Sequence, residues 1–129
     1  TCISINFPLS LSLINKPGMY YTYLTTNPGK TVLYTGMTND LAQRMLEHYL
    51  QRGTRKTFAG RYYCFHLLYY ESYTLAGEAI SREKEIKGWL RTKKVDLIAH
   101  ANPNWKVLNP QIMRWPPYPE QDSRSENLY

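Results

Sequence analysis

The sequence predicts an α+β domain in which a three-stranded antiparallel sheet is flanked by helices, in the order β-β-α-β-α-α. Three observations carry this prediction. Two segments rich in Tyr and Thr, residues 19–26 and 31–37, flank a short turn sequence. Apolar residues then recur at helical spacing in three later segments, and one aromatic segment lies between them. A sheet covered by helices is the economical way to bury the apolar faces of such elements.

The first two strands form a predicted hairpin. Residues 19–26 (MYYTYLTT) and 31–37 (TVLYTGM) carry the side chains that favour strands. Residues 27–30 (NPGK) supply the turn, because proline presets one dihedral angle and glycine tolerates positive φ. A breaker sequence at 16–18 (KPG) precedes the hairpin and predicts that the strand starts close to residue 19.

The later elements follow from capping residues and apolar spacing. Residues 38–40 (TND) offer side chains that can cap a helix. Its apolar positions at helical spacing are Leu41, Met45, Leu46 and Tyr49. A basic loop over 51–60 separates this helix from an apolar and aromatic segment. The predicted elements are a helix over 40–51, a strand over 61–71, a helix over 75–88 and a helix from residue 89 or 90 to 99. Pro103 blocks further helix.

A chain of 129 residues predicts one domain, which we place at residues 19–109. Residues 1–18 are interpreted as an N-terminal extension, because Met19 directly precedes the first strand. Packing of their apolar side chains onto the core would contradict this interpretation. Residues 110–129 hold four prolines and no periodic apolar pattern, so we expect a flexible, Pro-rich polar tail.

Composition and charge narrow the function classes. The net charge of +6 and the pI of about 9.3 favour a polyanionic partner such as nucleic acid, because phosphate contacts release counterions. Cys2 and Cys64 are too few and too far apart for a zinc ribbon or a disulfide framework, and a reduced, cytoplasmic location is expected. No apolar run is long enough to span a membrane, so we expect no membrane partner.

Two tyrosine-bearing segments and a basic helix face stand out. Tyr21-Thr22-Tyr23 and Tyr34-Thr35-Gly36 lie in the predicted hairpin. Arg44 and His48 are four residues apart, so they share one face of the predicted helix. Together with REKEIKGWLRTKK and the later NPNW, this order of segments over most of residues 19–109 resembles the GIY-YIG endonuclease family. Its small stand-alone bacterial members are related to the N-terminal nuclease domain of UvrC and to homing endonucleases.

The resemblance implies a set of catalytic residues. Tyr34 matches the family tyrosine beside the attacking water, and Tyr23 matches one that positions water, phosphate or Tyr34, or serves packing alone. Arg44 matches the family arginine, whose planar guanidinium can hold two phosphate oxygens. His48 is expected either to contact the phosphate or the leaving oxygen, or to be a partly buried histidine bonded to a backbone carbonyl.

The resemblance also implies a metal ion. Glu83 matches the family glutamate that holds a divalent cation, Mg²⁺ or Mn²⁺, and such hard cations suit one carboxylate completed by water and substrate oxygens. The alternative for Glu83 is a solvated ion pair with Lys87 at i, i+4. Glu78 and Glu85 are nearby rivals of Glu83. Glu85 projects about 200° away from Glu83 around the helix, so only one of those two can face the site. No small-molecule cofactor is expected.

Two further positions are candidates. Gly36 has no Cβ, so it would let the backbone approach the site closely. Asn102 resembles an asparagine that some relatives place near the site. The alternative is that its segment forms a turn that docks Trp105 into the core.

Two basic runs are candidate nucleic-acid contacts. The residues in question are Arg52, Arg55 and Lys56 in the loop, and Lys84, Lys87 and Arg91 near the last two helices. If both runs lie on the face of the site, they form a positive groove wide enough for a duplex. A run of lysines on a helix is also an ordinary solvated surface. The aromatic segment 61–71 is interpreted as core and not as a base-stacking platform.

The sequence therefore predicts a metal-dependent endonuclease that hydrolyses DNA phosphodiester bonds, with branched or damaged DNA as candidate substrates. The alternative is a nucleic-acid-binding module with weak turnover or none. A third interpretation is an interaction adaptor, because PPYP at residues 116–119 resembles a ligand for polyproline-recognising domains.

Overall fold

The computed structural model describes residues 4–5 and 18–117, and it contains an antiparallel sheet with helices on both faces. The elements are β1 (Ser4–Ile5), β2 (Tyr20–Thr26), β3 (Leu33–Thr38), α1 (Leu41–Leu50), α2 (Phe58–Arg61), β4 (His66–Tyr73), α3 (Ala76–Lys87), α4 (Arg91–Ala101) and α5 (Asn109–Ile112). This confirms the α+β class. Within the described residues, no helix is long and apolar enough to cross a membrane.

The sheet has the strand order β1-β4-β2-β3, and each neighbouring pair is antiparallel. The predicted three-stranded sheet is present as β4-β2-β3, with Tyr23 of the central strand opposite Gly36 on one side and Tyr70 on the other. The short β1 adds a fourth strand, in which Ile5 pairs with Glu71. This strand belongs to the segment predicted to be an extension, and the other residues of that segment before Gly18 lie outside the described ones.

Each face of the sheet carries its own apolar cluster. On the α1 face the buried side chains include Tyr21, Tyr23, Leu41, Met45 and Tyr70. On the opposite face, under α3 and α4, they include Leu24, Leu68, Tyr69, Ile86 and Ile98. The β2–β3 hairpin therefore lies between two helical layers, and side chains from both layers can reach the edge formed by β3.

Local side-chain hydrogen bonds fix the hairpin and the start of α1. The Oδ1 atom of Asn27 accepts from the backbone N–H groups of Thr31 and Val32 at 2.8 and 2.9 Å, which closes the predicted turn. Asp40 caps α1 by accepting from the backbone N–H of Gln43 at 3.0 Å. Such a cap satisfies one of the unpaired N–H groups of the first helical turn.

Strand β4 begins later than the predicted strand over 61–71. Residues 61–65 belong to a tight turn around α2, and β4 starts only at His66. Tyr63 has a left-handed φ of 58°, and the backbone N–H of Cys64 donates to the carbonyl of Ala59 at 2.9 Å. Because this bond folds the chain back, residues before His66 cannot be extended, and Tyr62 and Tyr63 are exposed instead of buried.

The folded chain continues past the boundary predicted at residue 109. Ile112 in α5 is buried, and the Asn109 side chain bonds the backbone of β4 through Leu67 N–H at 2.7 Å. Trp115 packs edge-on against Tyr49, with ring centroids 5.1 Å apart. The part of the predicted tail up to residue 117 is therefore packed on the domain, whereas residues 118–129, with half of the PPYP sequence, lie outside the described residues.

Candidate active site

A buried hydrogen-bonded cluster links β2 to α1. The hydroxyl of Tyr23 lies 2.8 Å from Nε2 of His48, and Nε of Arg44 donates to the same hydroxyl at 3.3 Å. Tyr23 and His48 are 1% and 3% exposed. The helical spacing of Arg44 and His48 brings both onto the face of α1 that covers the sheet, so the sequence-predicted cluster does come together.

Gly36 makes room for this cluster. It lies opposite Tyr23 in the β2–β3 ladder, and a Cβ atom on Gly36 would lie 2.5 Å from Cζ of Tyr23 and 3.0 Å from Cε2 of Tyr34. Real Cβ atoms do not approach other heavy atoms so closely. The missing side chain therefore lets the Tyr23 phenol lie across β3, next to Tyr34.

Tyr34 is the partly exposed member of the cluster. Its ring centroid lies 5.4 Å from that of His48 in an edge-on arrangement and 6.3 Å from that of Tyr23. Edge-on and tilted aromatic contacts at these distances are favourable. They hold the Tyr34 ring at the surface while its neighbours stay buried.

The buried pair is electrically neutral near pH 7. Burial, followed by the positive charge of Arg44, lowers the pKa of His48 to about 4 against an opposing effect of Glu47. Burial, followed by the nearby Tyr34, raises the pKa of Tyr23 well above its usual range. In this structure His48 is buried, and the bond that it makes is to a phenol and not to a backbone carbonyl.

Arg44 is held in place on two sides. Besides the bond to Tyr23, its Nη1 atom lies 2.8 Å from Oε1 of Glu47. Burial acts to lower the pKa of Arg44, but the hydrogen bond to Glu47 and the interactions with Tyr23 outweigh it and raise the pKa. With 30% of its side chain exposed, the guanidinium is fixed in direction and still reaches solvent.

Glu83 approaches the cluster from α3. Its side chain is 18% exposed, and Oε2 lies 2.8 Å from Nζ of Lys87, so the i, i+4 ion pair considered for it is present. Its negative charge contributes to the raised pKa of Tyr23, which places the carboxylate within electrostatic reach of the cluster. Glu85 points elsewhere and pairs with Arg82 at 3.1 Å.

The ligands available for a metal ion are few. Among residues 4–5 and 18–117, no group of three or more His, Cys, Asp and Glu side chains converges. Glu83 alone could hold a hard cation such as Mg²⁺, which accepts a single carboxylate when water and substrate oxygens complete its shell. This set of ligands does not suit a structural zinc site, which needs four protein ligands.

The two basic runs lie on different elements, one in the loop before α2 and the other on α3 and α4. Phe58, in the loop that carries Arg55 and Lys56, stacks on Tyr34 with ring centroids 6.2 Å apart. On the α3 side, burial followed by the charges of Arg91 and Lys87 lowers the pKa of Lys94, so these cations lie close together. The exposed predicted contacts are Arg52, Arg55, Lys56, Lys84, Lys87 and Arg91.

Two of the basic side chains have structural contacts as well. The Arg52 guanidinium lies 3.8 Å from the centre of the Tyr49 ring and donates to the Tyr49 carbonyl at 2.7 Å. Lys87 is engaged by Glu83.

Asn102 supports the fold instead of the cluster. It is buried, and its Nδ2 atom donates to the carbonyls of Leu68 and Lys106 at 3.0 and 2.9 Å. Its Oδ1 atom accepts from the Lys106 N–H at 3.0 Å. These bonds build the turn that carries Trp105. The Trp105 side chain packs against the apolar core under α3 and α4.

Sequence reasoning missed a buried carboxylate on the opposite face. Glu71 is fully buried, and it accepts hydrogen bonds from Arg82 Nε at 2.9 Å, from the Tyr73 hydroxyl at 2.5 Å and from the Tyr69 hydroxyl. The sequence does contain a pattern that predicts this group. Tyr69 and Tyr73 lie two positions on either side of Glu71, so all three side chains share one face of the strand. Since both oxygens are bonded within the protein, Glu71 is a structural group.

Comparisons with known proteins show the family of the chain. A sequence model of the GIY-YIG catalytic domain matches residues 19–96. Among similar proteins are those named UPF0213 protein in Staphylococcus aureus strains Mu3, Mu50 and N315, each 41% identical over 66 residues. The matched region covers 51% of this chain and 78% of each relative. No solved structure matches the chain.

Proposed function

Because the chain belongs to the GIY-YIG family, we propose that it is a metal-dependent endonuclease that hydrolyses DNA phosphodiester bonds. The family indicates a nuclease in general terms, and the DNA substrate and the metal are parts of the proposal. One observation carries it. Tyr34, Arg44 and Glu83 each keep exposed surface around the buried pair of Tyr23 and His48.

Tyr34 is assigned to the attacking water. The hydroxyl of a half-buried tyrosine can hold a water molecule by a hydrogen bond and relay its proton toward solvent as the water oxygen attacks phosphorus. Ring contacts with His48 and Tyr23 fix the direction of the Tyr34 side chain. A fixed nucleophile lowers the entropic part of the barrier.

Arg44 is assigned to the phosphate oxygens, where negative charge builds up in the transition state. Its bonds to Tyr23 and Glu47 orient the guanidinium before substrate arrives. A donor that is already oriented costs no reorganisation during the reaction, which is the basis of electrostatic catalysis. Tyr23 and His48 act through Arg44 and Tyr34, so we assign them as positioning residues.

Glu83 is the residue that would hold Mg²⁺ or Mn²⁺. When bound, such a cation supplies Lewis-acid stabilisation of the leaving 3′ oxygen. Lys87 balances the charge of the carboxylate in its present arrangement, and it lies in the basic cluster with Arg91 and Lys94, where it can turn to a DNA phosphate.

We also propose a cytoplasmic location. Burial raises the pKa of the Cys64 thiol to about 11, and Cys64 is a free, buried cysteine. A free, buried thiol of this kind suits a reducing compartment.

The test is cleavage of end-labelled branched, damaged and plain duplex DNA, and of RNA, in Mg²⁺, Mn²⁺ or EDTA. Wild-type protein is compared with Tyr34→Phe and Glu83→Gln, and Tyr20→Phe serves as a matched tyrosine control outside the cluster. Metal-dependent cleavage that is lost in the first two variants and kept in the control is the expected result.

A nucleic-acid-binding module remains the second candidate, because Glu83 is already engaged by Lys87. Salt-sensitive binding without metal-stimulated cleavage, unchanged in Tyr34→Phe and Glu83→Gln, would favour this candidate over the nuclease.

A further inference from the structure

Aromatic rings continue from the candidate active site out to the protein surface. Phe58 stacks on Tyr34 with an interplanar angle of 22° and a centroid distance of 6.2 Å. Tyr62 contacts Phe58 in a tilted arrangement with ring centroids 4.8 Å apart. Phe58 and Tyr62 are 49% and 42% exposed. A row of three rings therefore runs from the proposed water-holding tyrosine into solvent.

The segment that presents these rings is tightly built. The backbone N–H of Gly53 donates to the Gly60 carbonyl at 2.9 Å, and the N–H of Gly60 donates to Thr57 Oγ1 at 3.0 Å. A Cβ atom on Gly60 would lie 2.8 Å from the Gln51 carbonyl oxygen, so only glycine allows the chain to close here. The exposed rings are thus held in a defined place by a folded loop.

Positive charge surrounds the rings. Arg55, Lys56 and Arg61 are exposed in the same loop, and Arg61 donates to the Arg55 carbonyl at 3.2 Å. Residues 48–70 contain no Asp or Glu. Exposed aromatic rings among cations are the combination that binds single-stranded nucleic acid, because bases stack on the rings while the cations follow the phosphates.

We propose that Phe58 and Tyr62 form a stacking site for an unpaired nucleobase beside the scissile phosphate. The proposal rests on the proposed function and defines its substrate class: DNA whose bases are unpaired or flipped out at the cleavage point. In a duplex the base faces are covered by their neighbours, so a base must leave the stack to reach a ring. A base on Phe58 would bring its adjoining phosphate near Tyr34, whose ring centroid lies 6.2 Å from that of Phe58.

The alternative occupant of an exposed aromatic patch is an apolar protein surface. The charge of this loop disfavours it, because cations at the centre of a protein interface must be desolvated. The same charge would be neutralised by a nucleic-acid backbone. The sequence expectation that the aromatic run is core fails for Tyr62 and Tyr63, which precede the strand and are exposed.

The test measures binding in EDTA, where cleavage does not interfere. The probes are a labelled single-stranded oligonucleotide, its fully paired duplex, and the single strand with abasic sites. Phe58→Ala and Tyr62→Ala are compared with Leu75→Ala, a control residue that is 59% exposed. Tyr62→Ala is the decisive variant if Phe58→Ala disturbs Tyr34.

We expect each aromatic variant to bind the single strand about fivefold to a hundredfold more weakly, with little change for duplex and an unchanged salt dependence. Arg55→Ala should instead reduce the salt dependence. Abasic substitution should weaken binding to wild-type protein and have less effect on the variants. Equal losses for single strand and duplex, or no loss in either aromatic variant, would overturn the stacking site.

The experiments distinguish failure of the stacking site from failure of the proposed nuclease function. A protein that cleaves duplex DNA and is indifferent to Phe58→Ala and Tyr62→Ala is a nuclease without the stacking site. A protein that binds single strands through Tyr62 and cleaves nothing has the stacking site without the nuclease.

Discussion

The phenolic oxygen of Tyr23 lies 2.8 Å from Nε2 of His48, and neither side chain is exposed by more than 3%. Arg44 Nε donates to the same oxygen. When Nδ1 of His48 carries the ring proton, Nε2 accepts a hydrogen bond from the Tyr23 hydroxyl. Arg44 then donates to Tyr23, and Tyr23 donates to His48. This arrangement requires a neutral histidine, in agreement with a pKa of about 4.

The stability of the protein should fall as the pH is lowered from 6.5 to 4. The folded pKa of His48, about 4, lies below its unfolded value of 6.5, so in this window the unfolded chain binds a proton that the folded chain refuses. The expected loss from this residue is about 3 kcal/mol. Urea denaturation at pH 7 and pH 4 measures it.

Two other groups contribute to the same trend, since the pKa values of His66 and Glu47 are also lowered. The share of His48 is therefore the difference between wild type and His48→Gln, which has no titrating ring. An equal loss of stability in both proteins would contradict the buried neutral state of His48.

Gly36→Ala should destabilise the protein and displace the Tyr23 phenol. The added Cβ would lie 2.5 Å from Cζ of Tyr23, in a buried place where the ring has little room to move. Overpacking of this kind costs about 1–3 kcal/mol. Gly77→Ala is the control, because a Cβ on Gly77 has no heavy atom within 4 Å and alanine favours the helix. A Gly36→Ala protein that is as stable as wild type, beside a Gly77→Ala protein that is equally or more stable, would refute the role of Gly36.

Glu83→Gln should lower metal-dependent cleavage about a hundredfold or more, a typical effect of removing one transition-state interaction, while leaving the fold intact. The ion pair with Lys87 is partly exposed, so its loss should cost less than about 1 kcal/mol. Glu85→Gln, two positions along the same helix, should keep full cleavage because Glu85 pairs with Arg82. Rates measured over a Mg²⁺ titration distinguish the two, and equal rates would remove Glu83 from the site.

Glu71→Ala should destabilise the protein by about 3–5 kcal/mol, because it leaves the Arg82 guanidinium without its buried partner. The hydroxyls of Tyr69 and Tyr73 lose the same acceptor. Glu85→Ala removes only the more exposed partner of Arg82 and should cost less than about 1 kcal/mol. A small effect of Glu71→Ala on the urea midpoint would show that this network contributes little.

The elements that local sequence determines are those predicted well. The hairpin turn depends on Asn27, and the start of α1 depends on the Asp40 cap, both within five residues of the groups they bond. The start of β4 could not be read in this way. Residues 61–65 have the composition of a strand, but the contact between Cys64 N–H and the Ala59 carbonyl turns them away from the sheet.

The candidate site likewise has features that the sequence predicts and others that depend on tertiary contacts. The positions of Tyr34, Arg44 and Glu83 followed from the family resemblance and the helical spacing. The hydrogen bond between His48 and Tyr23 did not, because it depends on burial and on a partner 25 residues away in sequence. The pairing of Glu71 with Arg82 likewise depends on how α3 docks on β4, which no local pattern specifies.

The short strand β1 gives the sheet a covered border beyond β4. The family match begins at residue 19, so a protein that starts there and keeps the rest of the chain would lack this strand and present the backbone of β4 along an open side. Open strand borders recruit strands from other chains. Such a protein would keep the candidate site residues and would still tend to aggregate, so Ser4 and Ile5 are expected to contribute to solubility.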